Sequence, residues 1–144
     1  MSWTVTIPGQ PVSWDAAYRT GYVPVRRKVA GQRVPIYGAD GRPKVIHRPV
    51  LTTEAEQWKS DVYRLCVNAK PSRWVPTGQL RIEAELRLVH DMDDDNALKL
   101  ARDALASAIG YDDIHFLVTT KSKVAGYQLR DACVILTISE VGDD

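Results

Sequence analysis

The clearest pattern in the chain is a strict alternation of hydrophobic and charged residues from Leu80 to Leu88. Leucine, isoleucine and alanine occupy one set of alternate positions, and arginine and glutamate occupy the other. Because successive side chains of a β-strand point to opposite faces, this period of two predicts a strand with one buried face. Strands are also predicted at Trp3 to Ile7, Ile114 to Thr120 and Ala132 to Ile138.

Two other segments repeat their hydrophobic residues every three or four positions, which is the spacing of one face of an α-helix. The first helix is predicted from Thr53, where Thr53 and Glu56 match a capping box, to about Val67. The second is predicted from about Asn96 to Ile109, and Gly110 is a typical residue at a helix end. The apolar stripes are Ala55, Trp58, Val62, Leu65 and Cys66 in the first helix, and Leu98, Ala101, Leu105, Ala108 and Ile109 in the second.

Strands interrupted by helices predict an α/β (α+β) fold in which one small domain, residues 1–144, packs helices on a mixed β-sheet. A turn from Lys121 to Leu129 would join the last two strands into a hairpin. The segment 12–50 is rich in turn residues and is predicted as a partly irregular insertion. Within it, short β-ribbon pieces at Val34–Tyr37 and Lys44–His47 would flank the Asp40-Gly41 turn.

The composition is that of an ordinary globular protein, with 44% hydrophobic and 26% charged residues. No stretch approaches the length of a membrane span, and the first residues lack the pattern of a secretory signal. We therefore expect a cytoplasmic protein with no membrane partner. Cys66 and Cys133 lie in apolar patterns and are interpreted as buried free thiols.

Charge is distributed unevenly along the chain, although the net charge is only +1. The segment 19–48 holds eight Lys and Arg against one acid, Asp40, and the rest of the chain is correspondingly acidic. Such a split is typical of a polyanion-binding segment joined to an acidic functional centre. The alternative is a solvated surface loop. If the polyanion is DNA, the candidate phosphate-binding residues are Arg26, Arg27, Lys28, Arg33, Arg42, Lys44 and Arg48.

The acidic centre lies where the strand ending near Leu88 meets the second helix. Asp93 and Asp95 are two residues apart, so both carboxylates point the same way if this turn is extended. Asp95 or Asn96 is expected near the helix N-cap. Asp113 follows the far end of that helix and could complete an oxygen-rich site of the kind that Mg²⁺ prefers. The alternative is an acidic turn whose only role is to cap the helix.

Lys99 is four residues after Asp95, so it should project beside the carboxylates from the same helix. A cation beside a metal suits phosphoryl transfer, because negative charge grows on the reacting oxygens. The simpler interpretation of Lys99 is an i,i+4 ion pair with Asp103.

Two other acidic motifs fit less well. Asp91, Asp93 and Asp95 match the first ligands of an EF-hand loop, but Asn96 stands where glycine is needed and Arg102 where the bidentate glutamate is needed. The chain also has too few βαβ units for the doubly wound sheet of the phosphatases that use a nucleophilic aspartate.

At these residues the sequence resembles the RusA family of Holliday-junction resolvases. The shared pattern is Asp93-Asp94-Asp95-Asn96, then Lys99, then Asp103-Ala104-Leu105, then Asp112-Asp113. It extends more loosely to residues 6–11, the first helix, Lys121-Ser122-Lys123 and the last strand. The family's catalytic aspartates correspond to Asp93, Asp95 and Asp113, and its catalytic lysine corresponds to Lys99. The extra acids Asp91 and Asp94 and the long basic segment depart from the family pattern.

The resemblance implies a Mg²⁺-dependent endodeoxyribonuclease, with Mn²⁺ as an alternative metal, that resolves four-way DNA junctions in recombination and repair. It further implies a RusA-like fold, a homodimer that cuts two opposed strands, and a phage or prophage context. Two alternatives stay open. One is a branched-DNA-binding module that no longer cleaves, and the other is a metal-dependent phosphohydrolase of small molecules, against which the basic segment argues.

Overall fold

Two helices, Thr53–Ala69 (α1) and Asp94–Ile109 (α2), pack on one face of a four-stranded sheet in the computed structural model. The sheet contains Ser2–Pro8 (β1), Leu80–Leu88 (β6), Phe116–Ala125 (β7) and Cys133–Glu140 (β8), in the order β1-β8-β6-β7. The structure describes residues 1–142, except for the side chains of residues 20–23 and 47–48. The predicted mixed α+β fold in one small domain is confirmed.

The core lies between the helices and the inner face of the sheet. Every second residue of β6, from Leu80 to Leu88, is buried there, as the alternation predicts. These side chains meet the apolar stripes of α1 and α2, whose fully buried members include Val62 and Leu105. Cys66 and Cys133 are buried free thiols, as predicted.

The connection between β7 and β8 differs from the prediction. β7 does not end at Thr120 but continues to Ala125, and it lies parallel to β6 at the edge of the sheet. β8 lies on the other side of β6 and is antiparallel to both β6 and β1. The predicted final hairpin is therefore wrong. A parallel strand pairs with a partner distant in sequence, so its local pattern cannot reveal that partner.

The basic segment is more regular than predicted. It forms two antiparallel ribbons, one pairing Tyr18–Pro24 (β2) with Val45–Leu51 (β5), the other pairing Arg26–Val29 (β3) with Gln32–Pro35 (β4). Ala30 and Gly31 both have positive φ in the β3–β4 turn, which is the backbone of a two-residue turn that matches strand twist. A bridge between Tyr37 and Pro43 encloses the predicted Asp40-Gly41 turn.

The helix starts also differ in detail from the prediction. The N-cap of α1 is Thr52, whose hydroxyl accepts a hydrogen bond from the Ala55 amide, so the predicted Thr53–Glu56 capping box is wrong by one residue. At the C-terminal end of α2, Gly110 adopts the left-handed conformation expected of it. No helix within residues 1–142 combines the length and apolar character needed to cross a membrane.

Candidate functional site

An open cleft of about 1050 Å³ lies between the beginning of α2 and the edge of the sheet formed by β6 and β7. Its ionisable lining residues are three acids and three bases: Glu83, Asp94, Asp95, Arg81, Lys99 and Arg102. Hydrophobic and threonine side chains of β7 complete the wall. The cleft thus joins the predicted acidic centre to cationic side chains suited to a phosphate-containing ligand.

The acidic turn leads directly into α2. Asp93 is the N-cap residue, although its side chain makes no capping hydrogen bond, and Asp94 and Asp95 lie in the first turn. Asp95 and Asn96 therefore lie near the N-cap, as expected, but the helix begins two residues before the predicted start at about Asn96. Asp95 is helical instead of extended, so the spacing argument that aligned it with Asp93 does not apply. The positive end of the helix dipole nevertheless favours these carboxylates.

Lys123 of β7 is the cationic partner of this turn. Its ammonium Nζ lies 3.0 Å from Asp94 Oδ1 and 3.4 Å from Asp91 Oδ1, and it donates to the Met92 carbonyl oxygen at 3.3 Å. Contacts of Asp94 with Lys123, and then with Thr120, hold the pKa of the Asp94 carboxyl below its usual range. Asp94 in turn raises the pKa of the Lys123 ammonium. An ammonium surrounded by three oxygens shows that the turn accepts a cation.

A β-bulge directs Lys123 towards these acids. The pairing of β6 with β7 shifts between Ala84 and Glu85, which leaves Lys121 as an extra residue. Before the shift, Thr120 pairs with Ala84; after it, Lys123 pairs with Leu86, and both partners are buried on the helix side of β6. Bulges of this kind re-aim side chains beside functional sites. If the pairing continued without the bulge, Lys123 would lie opposite Arg87 and point to the other face of the sheet.

Lys99 contacts an aromatic ring instead of its predicted acidic partner. The Lys99 Nζ atom lies 5.6 Å from the centroid of the Trp14 ring. Within the described residues Lys99 forms no ion pair with Asp103, so that expectation is wrong. Trp14 belongs to a short 3₁₀ helix, Trp14–Ala16, which also receives a hydrogen bond at Asp15 from the Asn96 side chain at 3.1 Å. The start of the basic segment is thereby fixed against α2.

Asp113 is held by Arg102. The Arg102 Nε atom lies 3.3 Å from Asp113 Oδ2, and Arg102 Nη2 donates to the Asp113 backbone carbonyl at 3.3 Å. Asp113 begins a 3₁₀ turn, Asp113–His115, in which the neighbouring Asp112 accepts a hydrogen bond from the Ile114 amide. Asp112 is therefore a capping residue, and Asp113 is the carboxylate linked to the cleft.

The structure brings the predicted site residues together only in part. Asp95 and Lys99 share the cleft, Asp113 joins it through Arg102, and Asp93 is exposed at the turn. Within residues 1–142 no three acidic, histidine or cysteine side chains are already assembled as a metal-binding group. The donor chemistry fits Mg²⁺, because all three candidates are carboxylates and Asp95 lines the open cleft. One member of the predicted triad, Asp113, is instead engaged by Arg102.

The predicted DNA-binding residues lie outside this cleft, on the two ribbons or, for Arg42 and Lys44, in the connection between β4 and β5. Arg26, Arg27, Lys28, Arg33, Arg42 and Lys44 are exposed. The side chain of the seventh, Arg48, lies outside the described part of the chain. Direct cross-strand pairing of Lys28 with Arg33 places two cations side by side.

The reasoning from individual positions missed three residues that contact side chains of the candidate site: Trp14, Arg102 and Lys123. Lys123 entered only as part of the loose family resemblance, and Arg102 only as a mismatch to an EF-hand. Each reaches its partner from another element or across a turn, so no local period marks it. Comparison of the chain with models of known families and with curated proteins finds no match.

Proposed function

We propose that this protein is a Mg²⁺-dependent endodeoxyribonuclease that cuts branched DNA, with four-way junctions as its substrate. The observation that supports this best is the arrangement of Asp95 and Lys99 on adjacent turns of α2 in one open cleft. Asp113 is connected to the same cleft by Arg102. Acidic metal ligands beside a cationic side chain are what phosphodiester hydrolysis requires.

In this proposal each side chain has a separate task. Asp93, Asp95 and Asp113 would hold the metal, which would supply Lewis-acid activation of the scissile phosphate and of a water molecule. Lys99 stabilises the negative charge that develops on the phosphate, and Trp14 keeps its ammonium near the cleft. Asp94 pairs with Lys123 and is not assigned to the metal. The exposed ribbons supply phosphate contacts along the DNA arms.

A second candidate is a branched-DNA-binding module that does not cleave. The ion pair between Arg102 and Asp113 favours it, since it occupies one of the three proposed metal ligands. The cleft and the basic ribbons would serve binding equally well in either case. The two candidates differ only in whether the carboxylates are needed for a reaction.

Cleavage of a labelled four-way junction, with and without Mg²⁺ and beside a matched linear duplex, distinguishes these candidates. Asp93→Asn, Asp95→Asn and Asp113→Asn should each nearly abolish cleavage, because the amide removes a charge that Mg²⁺ needs. Asp91→Asn is the matched control from the same turn and should retain most of the activity. Junction binding without metal should persist in all four variants. Wild-type cutting by the Asp95 variant would reject the site, and an inactive wild-type protein that binds junctions would favour the binding module.

We propose further that the active form is a homodimer, because two symmetric incisions need two equivalent centres. Sedimentation of the protein with and without a junction tests this directly. A monomer at micromolar concentration in both conditions would reject it.

A further inference from the structure

Arg102 occupies a position between the proposed ligand Asp113 and the open cleft. Its side chain is about one-third exposed, and that of Asp113 slightly less. Two nitrogen atoms of the guanidinium contact Asp113. Nε lies beside the carboxylate, and Nη2 donates to the backbone carbonyl. Arg102 also lines the cleft beside Asp95 and Lys99. The same side chain can therefore respond to a ligand in the cleft and to Asp113.

The contact with Asp113 is not the strongest that a guanidinium can form. A parallel, two-bonded pair between guanidinium and carboxylate is the favourable arrangement, and here only one carboxylate oxygen is within the 3.3 Å contact. Arg102 Nε is inaccessible to solvent and has no well-aligned hydrogen-bond acceptor within the described residues. A phosphate offers a second pair of oxygens in the geometry that a guanidinium prefers. A DNA phosphate can therefore compete with Asp113 for the Arg102 side chain.

The geometry points to Arg102 as a coupling residue: it holds Asp113 while the cleft is empty and turns to a DNA phosphate when the cleft is filled, which releases Asp113 for the metal. This inference rests on the proposed nuclease function and adds that DNA binding promotes assembly of the metal site. Substrate binding and metal binding then favour each other, because each removes one partner from the Arg102–Asp113 pair. Such coupling is reciprocal by thermodynamic linkage.

The first test measures Mn²⁺ binding to the protein without DNA, by electron paramagnetic resonance. Arg102→Met frees Asp113 and removes a nearby positive charge, so it should bind Mn²⁺ about tenfold more tightly than the wild type. Arg81→Met is the matched control, since Arg81 lines the same cleft but does not contact Asp113. The control should change the affinity by less than about threefold. Equal effects of the two substitutions would overturn the inference, because loss of charge alone would explain them.

The second test measures the coupling itself in a Lys99→Ala background, where slow cleavage leaves the junction intact during the measurement. Addition of a four-way junction should raise Mn²⁺ affinity about tenfold in this background and in its Arg81→Met derivative. The gain should disappear with Arg102→Met, and also with Arg102→Lys, which keeps the charge but lacks the planar fork. Retained coupling in both Arg102 variants would overturn the inference. A wild-type protein that binds neither Mn²⁺ nor junctions would instead reject the proposed function along with it.

Discussion

The Lys99 ammonium lies 5.6 Å from the centre of the Trp14 ring, which joins the 3₁₀ helix before the basic ribbons to the second turn of α2. Trp14 also makes an edge-to-face contact with Tyr18, at a centroid distance of 4.9 Å. A long, flexible lysine side chain is therefore restrained by an aromatic pair instead of by an acid. Because Lys99 forms no ion pair with any acid in the described part of the chain, its charge is available to a phosphate.

Replacement of Trp14 by leucine should lower the rate of junction cleavage by about 2–5-fold, since a cation–π contact contributes roughly 0.5–1 kcal/mol at a partly exposed site. Junction affinity without metal should stay unchanged. Lys99→Ala should lower the rate by roughly 10²–10³-fold, as loss of a charge partner in the transition state does. Single-turnover kinetics on one junction measures both variants. Trp14→Phe, which keeps an aromatic face, should restore most of the rate, and failure to do so would contradict the positioning role.

The Cys66 thiol should be unreactive in the folded protein. It is fully buried, and burial raises its pKa from about 9 to about 12. The unfolded thiol ionises near its ordinary value, so the stability linked to this group is present below pH 9 and falls as the pH rises towards 12. Labelling with a thiol reagent at pH 8.5, in a Cys133→Ala background, should therefore proceed at the rate of unfolding. Rapid labelling under native conditions would show that the α1 packing opens locally.

The sequence alone predicts those features of the fold that depend only on residues close together in the chain. The alternation from Leu80 to Leu88 predicts the bounds of β6 without error, because each residue's face follows from its own position. The left-handed residue Gly110 and the buried stripe of α1 are local in the same sense. The start of α2 does not follow from the local sequence, since five of the residues from 91 to 96 can cap a helix and only their packing selects Asp93.

Contacts between distant residues explain most of the errors. The β7–β8 hairpin is wrong because β7 pairs in parallel with β6, and only the complete sheet shows this. Lys123 reaches Asp94 through a one-residue bulge, and a slip of one residue reverses every later side chain. The sequence pattern draws attention to these acids, but it does not reveal that Lys123 engages Asp91 and Asp94, or that Arg102 engages Asp113.

Lys123 should stabilise the acidic turn more than its neighbour Lys121 does. Lys123→Met leaves Asp91 and Asp94 without their cation, so the melting temperature should fall by roughly 1–3 °C at low salt. Lys121→Met is the control, because Lys121 forms no ion pair within the described residues. High salt should reduce the difference between the two variants, since it screens charges at the surface. Equal melting temperatures at low salt would show that the Lys123 contacts contribute nothing measurable.

The β3–β4 ribbon should bind DNA with one face only. Residues directly opposite each other in an antiparallel pair share a face, so Arg26, Lys28 and Arg33 lie together, whereas Arg27 lies on the other face with Val34. Like charges placed opposite each other destabilise a ribbon, and no acid within residues 26–35 offsets them. A polyanion bound on that face would remove the repulsion.

Salt dependence of junction binding identifies this face. Lys28→Ala and Arg33→Ala should each weaken binding and reduce the slope of log K against log salt by roughly 0.9, the value for one lost phosphate contact on duplex DNA. Arg27→Ala removes the same charge from the same ribbon and should leave the slope nearly unchanged. Without DNA, Lys28→Ala should not destabilise the protein, because it relieves the repulsion with Arg33. If the three variants reduce the slope equally, the ribbon acts only through its total charge, and a defined phosphate-binding face is rejected.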